Sequence, residues 1–254
     1  TTPARTRSWV SDMGVSRSYS RGAISAANYV ALAIIFSVAS LHGQPLGKIV
    51  GRVSTSAVGS LPPLTVTTNQ DVCGQEVPDE SLFVDALGGL ANAVVTVVGL
   101  PAGEVVSPTI TNAGCQFSPR VQLGRPGGEI QITSIDEVLH TSHAYADDNR
   151  SLFNVAIPIP GLTITRQLTA RGVIRLVCDT HTWMRGFVIA STDLSAVTTL
   201  DGAFVLDNIP AGTYDIRIWH EYFGVSNHTV TVEAEETAAV TYTLHKMDAP
   251  NDSY

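Results

Sequence analysis

Past residue 44 this 254-residue chain never sustains the 3.6-residue apolar period of an amphipathic helix. Short runs rich in Val, Ile and Thr alternate instead with Gly, Pro, Asn and Asp. That is the pattern of half-buried strands separated by tight turns, and it predicts an all-β chain. Candidate strands cover residues 48–54, 64–68, 93–98, 121–123, 129–134, 162–167, 173–178 and 186–190, with room for a short helical turn at 79–90 and a polar loop at 147–151. Many short strands at close intervals predict a sandwich or a Greek-key barrel.

The pattern changes after Ala190. Thr198 to Leu206 reads as strand, Asp201-Gly202 turn and strand, a strong short-range hairpin signal. Alternating runs follow at 215–220, 227–233 and 238–245, and residues 247–254 form a polar tail. The linear reading is therefore a β-sandwich or barrel over 44–192 and a smaller β module over 193–246. At the other end, Arg17 and Arg21 precede an apolar run at 29–39 and then small residues up to Gly43. This is the layout of a secretory signal, so residues 1–43 are assigned to a signal peptide and upstream residues. The run is short for a membrane span, which needs about 20 apolar residues. The expectation is a periplasmic or secreted protein with no membrane span in its mature form. Loss of 1–43 removes four basic residues and one acidic one, taking the formal charge from −8 to −11. An acidic surface argues against nucleic acid and anionic lipid, and suits a positively charged partner.

Near the middle stands Cys178-Asp179-Thr180-His181-Thr182-Trp183-Met184, and about forty residues upstream His140-Thr141-Ser142-His143. A thiolate, an imidazole and a thioether on one short turn, with a second histidine from another segment, form the ligand set of a mononuclear copper site with two His, one Cys and a weak axial Met. His140 and His143 both offer themselves as the upstream ligand. Residues three apart on a strand face opposite ways, so one points inward. Three cysteines is an odd number for an exported chain. With Cys178 in a ligand context, Cys73 and Cys115 remain to pair in an oxidising compartment. Closing that loop is worth about 4 kcal/mol by chain entropy; the alternative is two free buried thiols.

These residues carry a resemblance to the cupredoxins, and within them to the amicyanin type with its short ligand loop. Cys178, His181, Met184, Arg185 and Gly186 follow the family's C-x-x-H-x-x-M-R-G loop, and His140 and His143 its upstream H-x-x-H, whose first histidine is the ligand. The resemblance runs from about Cys115 to Ser191. It implies a Greek-key cupredoxin fold, one type 1 copper ion held by His140, Cys178, His181 and Met184, and single-electron exchange with redox partner proteins. Two departures stand out: Thr141 replaces the usual Asn whose side chain ties the two ligand segments, and Thr182 replaces a common proline. The C-terminal unit, with T-x-x-D-G-x-F-x-L and P-A-G-x-Y, resembles carboxypeptidase regulatory-like (transthyretin-like) modules. Their opening G-x-I-x-G-x-V phrase lies far away at Gly47 to Val53, which suggests that the N-terminal strand pairs with the C-terminal module and the cupredoxin unit is inserted between.

Other residues carry plainer readings. Trp183 either forms an exposed apolar docking patch beside His181 or packs over the loop, and Arg185 either steers an acidic partner or is simply solvated. In Trp219-His220-Glu221 the histidine reads as structural. Asn227-His228-Thr229 is a sequon of use only in a glycosylating host. No zinc-protease or nucleophile-elbow motif occurs, and His42, His220, His228 and His245 are scattered. The chain is therefore not expected to be an enzyme. Its runner-up readings are a copper carrier without redox turnover and a structural β protein.

Overall fold

The computed structural model describes residues 45–245 except 57, 58, 60, 105 and 106. The expected signal segment and polar tail lie outside the described residues.

The protein is all-β. In chain order the first elements are β1 (Leu46–Thr55), β2 (Leu64–Thr65), α1 (Gln70–Cys73), β3 (Glu76–Val77), β4 (Val94–Pro101), β5 (Thr109–Ala113) and β6 (Gln116–Ser118). There follow β7 (Val121–Gly124), β8 (Glu129–Ser134), β9 (His140–Tyr145), β10 (Ser151–Ile157), β11 (Ile164–Gln167), β12 (Gly172–Val177) and β13 (Arg185–Ala190). The last are β14 (Asp193–Val197), β15 (Ala203–Pro210), β16 (Gly212–His220), β17 (Gly224–Val232) and β18 (Thr237–Leu244).

Four of these sheets form two sandwiches. One faces the order β10-β9-β12-β13-β7 against β11-β8-β5-β6, and the other sets β15-β1-β18 and β14-β4-β16-β17 around a second core. Each core follows from period-two alternation: Ile130 and Ile132 of β8 point into the first, Ile216 and Ile218 of β16 into the second. A third cluster, Val94, Val121, Phe187 and Ile189, joins the two across the outer faces of β4, β7 and β13. Beside it Arg120 and Glu221, both nearly buried, form a two-pronged ion pair with Nη2–Oε2 at 2.8 Å.

The sheets do not divide at residue 193, where the linear reading drew its boundary. β1 pairs antiparallel with β15 and parallel with β18, and β4 lies between β14 and β16. Strands from the N-terminal side therefore complete the C-terminal sandwich, and the site-bearing strands β5–β13 are inserted between β4 and β14. Apolar burial explains this: Ile49 and Val53 of β1 are 1% and 0% exposed, and their partners are the core residues of β15 and β18.

Two local expectations are corrected. The Asp201-Gly202 turn does not close a hairpin, because β14 pairs with β4 while β15 pairs with β1. Gly202 has φ +80, and a Cβ there would lie 2.2 Å from the Val53 carbonyl oxygen, so the turn carries the chain from one sheet to the other. The helical turn expected at 79–90 is a series of turns. Asp85 accepts hydrogen bonds from the backbone N–H of Leu87 and Gly89 and binds Arg52, and Gly88 adopts φ +82. The short helix lies earlier, at α1.

Candidate metal centre

The site sits where β9 meets the β12–β13 connection. β12 ends at Val177 opposite Arg185, leaving Cys178 to Met184 as a seven-residue loop between paired strands. The loop is closed by Cys178 N–H to Met184 O (3.4 Å) and Met184 N–H to His181 O (2.9 Å). The β9–β12 register sets His143 opposite Val177, which carries His140 and Thr141 alongside the loop.

Strand alternation turns the two upstream histidines to opposite faces of β9. His140 is fully buried; His143 faces the other way, bound to Asp179 (3.2 Å), Ser151 (2.9 Å) and the Tyr145 hydroxyl (3.0 Å). Inside, His181 Nδ1 lies 3.0 Å from His140 Nδ1 and 3.6 Å from Cys178 Sγ, and Cys178 Sγ lies 4.0 Å from His140 Nδ1. All three side chains are buried, and this trio is a group among the described residues that could hold a metal ion. Met184 ends the same loop, 1% exposed, in the same core cluster as Cys178. Asp136 and His140 also approach Cys115, but that sulfur is already bonded to Cys73, with the two Cα atoms 5.4 Å apart.

The outward ring nitrogens are committed. His140 Nε2–H donates to Asp136 Oδ2 (2.9 Å), and that carboxylate is held by the backbone N–H groups of Gly114 (2.7 Å) and Cys115 (2.9 Å). His181 Nε2–H donates to Asn69 Oδ1 (3.1 Å). Each imidazole thus turns a bare Nδ1 lone pair inward. In the neutral rings two such lone pairs 3.0 Å apart, beside a sulfur, repel each other unless a proton or a metal cation lies among them.

Thr141 does the tying expected of the residue after the first histidine. Its N–H and hydroxyl both donate to Cys178 Sγ (3.3 and 3.7 Å), and the hydroxyl accepts from Asp179 N–H (2.6 Å). Burial raises the Cys178 pKa, but hydrogen bonds to the sulfur outweigh it, those from the Thr141 N–H and hydroxyl among them, and the thiol lies below its ordinary value. His181 is pushed down to about 4, by burial first and then by His140, with Asp136 acting the other way. The set suits a thiolate beside a neutral His181 ring. The three inward atoms lie 3.0, 3.6 and 4.0 Å apart, a spacing that would let all of them reach one ion at metal–ligand distances of about 2.0–2.3 Å.

Trp183 does not make the exposed patch. Its ring is half-buried 5.1 Å from His181, its Nε1–H donates to Cys115 O (3.0 Å), and His181 itself is fully buried. His220 is structural: it donates to Ala91 O and accepts from Tyr222 N–H, both at 3.1 Å. The sequence motifs missed Asn69 and Asp136. A carboxylate four residues before a ligand histidine was the available hint for Asp136; Asn69 had none.

Solved structures similar to the chain include a purple cupredoxin from Nitrosopumilus maritimus, 22% identical over 34% of this chain and 100% of its own, with a TM-score of 0.30. A reduced-state amicyanin variant is 17% identical over 38% of this chain and 98% of its own, TM-score 0.30. A copper-containing nitrite reductase from Thermus scotoductus SA-01 is 21% identical over 37% of this chain and 24% of its own, TM-score 0.28. The PEGA domain model matches residues 204–248, and no curated protein matches the chain.

Proposed function

We propose that the chain is an exported, non-enzymatic carrier of single electrons that holds one type 1 copper ion. The observation that carries the reading is the inward convergence of two imidazole Nδ1 atoms and a buried thiol, with both outer ring nitrogens tied off. When bound, copper would supply a one-electron couple whose soft sulfur donor favours Cu(I) and whose imidazoles also suit Cu(II). In this reading His140, Cys178 and His181 would hold the ion, and Met184 would add a further, weaker sulfur donor. Asp136 and Asn69 fix the two rings, and the apolar core around Cys178 excludes water, so little rearrangement accompanies a change of charge. The Cys73–Cys115 disulfide supports an oxidising compartment. No helix among the described residues is long and apolar enough to cross a membrane. The acidic net charge suits a positively charged redox partner.

The test is titration of apo protein with Cu(II). One equivalent should produce an intense thiolate-to-copper band at roughly 600 nm, absent in Cys178→Ser, together with a reversible one-electron wave. A colourless 1:1 complex without that wave would indicate copper carriage, and no binding would leave a structural β protein.

A further inference from the structure

The segment 64–77, comprising β2, α1 and β3, has no part in the ligand motifs, yet it lies on the site. Val66 and Val77 are buried in the same core cluster as Cys178, and Cys73 bonds the segment covalently to Cys115. Cys115 in turn reaches both halves of the site. Its N–H holds the carboxylate that orients His140, and its carbonyl receives the indole N–H of Trp183 in the ligand loop.

Asn69 is the telling residue. It occupies the N-cap position of α1, where an Asn side chain ordinarily accepts a backbone N–H of the first turn. Here it makes no such bond. Its backbone takes the left-handed conformation, φ 53 and ψ 41, and its Oδ1 accepts from His181 Nε2 instead. The backbone carbonyl of Asn69 meanwhile receives the N–H groups of Val72 and Cys73, which fixes it to the disulfide end of the segment. A capping group diverted from its own helix to a buried imidazole is placed for that ring.

We propose that Asn69 is the positioning residue for His181, and that the disulfide-stapled segment 64–77 is a fixed cap closing the His181 edge of the centre to small external molecules. The proposal rests on the copper reading for its purpose, but its test needs no copper. In 15N-labelled apo protein, hydrogen exchange of the two ring Nε2–H groups is followed by NMR, and alkylation of Cys178 by iodoacetamide is timed in parallel. Asn69→Gly accommodates the left-handed backbone and deletes the acceptor. It should speed exchange at His181 roughly fivefold or more, the scale of one lost hydrogen bond, and leave His140, held by Asp136, unchanged. Asn69→Asp, which keeps an acceptor oxygen, should restore protection. Cys73→Ser with Cys115→Ser should quicken alkylation of Cys178. Equal exchange at His181 in wild type and Asn69→Gly would overturn the positioning role, as would parallel acceleration at both rings. Unchanged alkylation in a folded double-serine variant would overturn the cap. Failure of the copper reading would show separately, as a wild-type protein that never turns blue.

Discussion

Lowering the pH should destabilise this protein through a histidine away from the metal centre. His220 is 1% exposed, donates from Nε2 to the Ala91 carbonyl and accepts at Nδ1 from Tyr222 N–H. Both nitrogens are satisfied in the neutral ring. Protonation would break the second bond and bury a charge, so burial, helped by the nearby Arg120 and opposed by the Ala91 carbonyl, depresses the pKa from 6.5 to about 4. In the unfolded chain the ring binds its proton near pH 6.5, so between pH 6.5 and 4 the unfolded state holds more protons. Stability is fully present above that window and falls as pH drops through it. Linkage gives a loss of about 2 kcal/mol between pH 7 and 5, and about 3 kcal/mol by pH 4. Urea unfolding of apo protein at stepped pH, compared with His220→Gln, measures it. Gln keeps a donor for Ala91 but does not titrate, so the wild-type and variant free energies should converge or cross as pH falls, at unchanged m. The slope left in the variant includes His181, which is also held at about 4. Parallel curves for the two proteins from pH 7 to 4 would refute the assignment.

Arg120→Met should cost roughly 3–5 kcal/mol in urea, because it leaves Glu221 buried without its cation and removes the charge that opposes the raised pKa of Glu80. Arg120→Met with Glu221→Leu should recover most of that loss; a double variant no better than the single would show that the ion pair is not the cause. Asp136→Ala should weaken Cu(II) binding by roughly 10–100-fold in a competition titration, the usual effect of freeing a ligand histidine from its outer partner. Met184→Leu should keep the thiolate band and raise the reduction potential by removing a weak donor from the oxidised ion. A potential equal to wild type would remove Met184 from the proposed ligands.

The fold was legible at several runs where strand alternation was apolar. Residues 129–134 match β8 end to end, and the runs at 48–54, 93–98 and 186–190 fall within a few residues of β1, β4 and β13. β9 escaped the pattern because its inward residues are His140, Ser142 and Ala144, a polar face turned to the centre. The Asp-Gly signal located a turn at 201–202 but not its partners, since local chemistry fixes the bend while the facing strand is chosen by long-range burial. The same limit explains the boundary at 193. Only the G-x-I-x-G-x-V phrase hinted that β1 crosses to β15 and β18, and nothing local marked β4 as a neighbour of β16.

At the centre the division is sharper. Cys178, His181 and Met184 share one turn, so their spacing alone brings them close; strand alternation said only that one of His140 and His143 faces inward, and the preference for His140 came with the family's order. What makes the cluster more than three buried side chains comes from elsewhere in the chain. Without acceptors at both outer nitrogens, either ring could turn its Nε2 inward or carry its proton at Nδ1, and the donor set would be undefined. Asp136 supplies one acceptor from four residues away and Asn69 the other across 112 residues, and Cys115 reaches both, through its own N–H and its bond to Cys73. The reading of the disulfide as a stabilising crosslink is therefore incomplete: its closed loop ties together the supports of both imidazoles. For that reason loss of Cys73 and Cys115 should disturb His181 through the cap before it unfolds the sandwich. Heating the double-serine apo variant should lose His181 Nε2–H protection at a lower temperature than the core amides of β8 and β12, and simultaneous loss would count against that order.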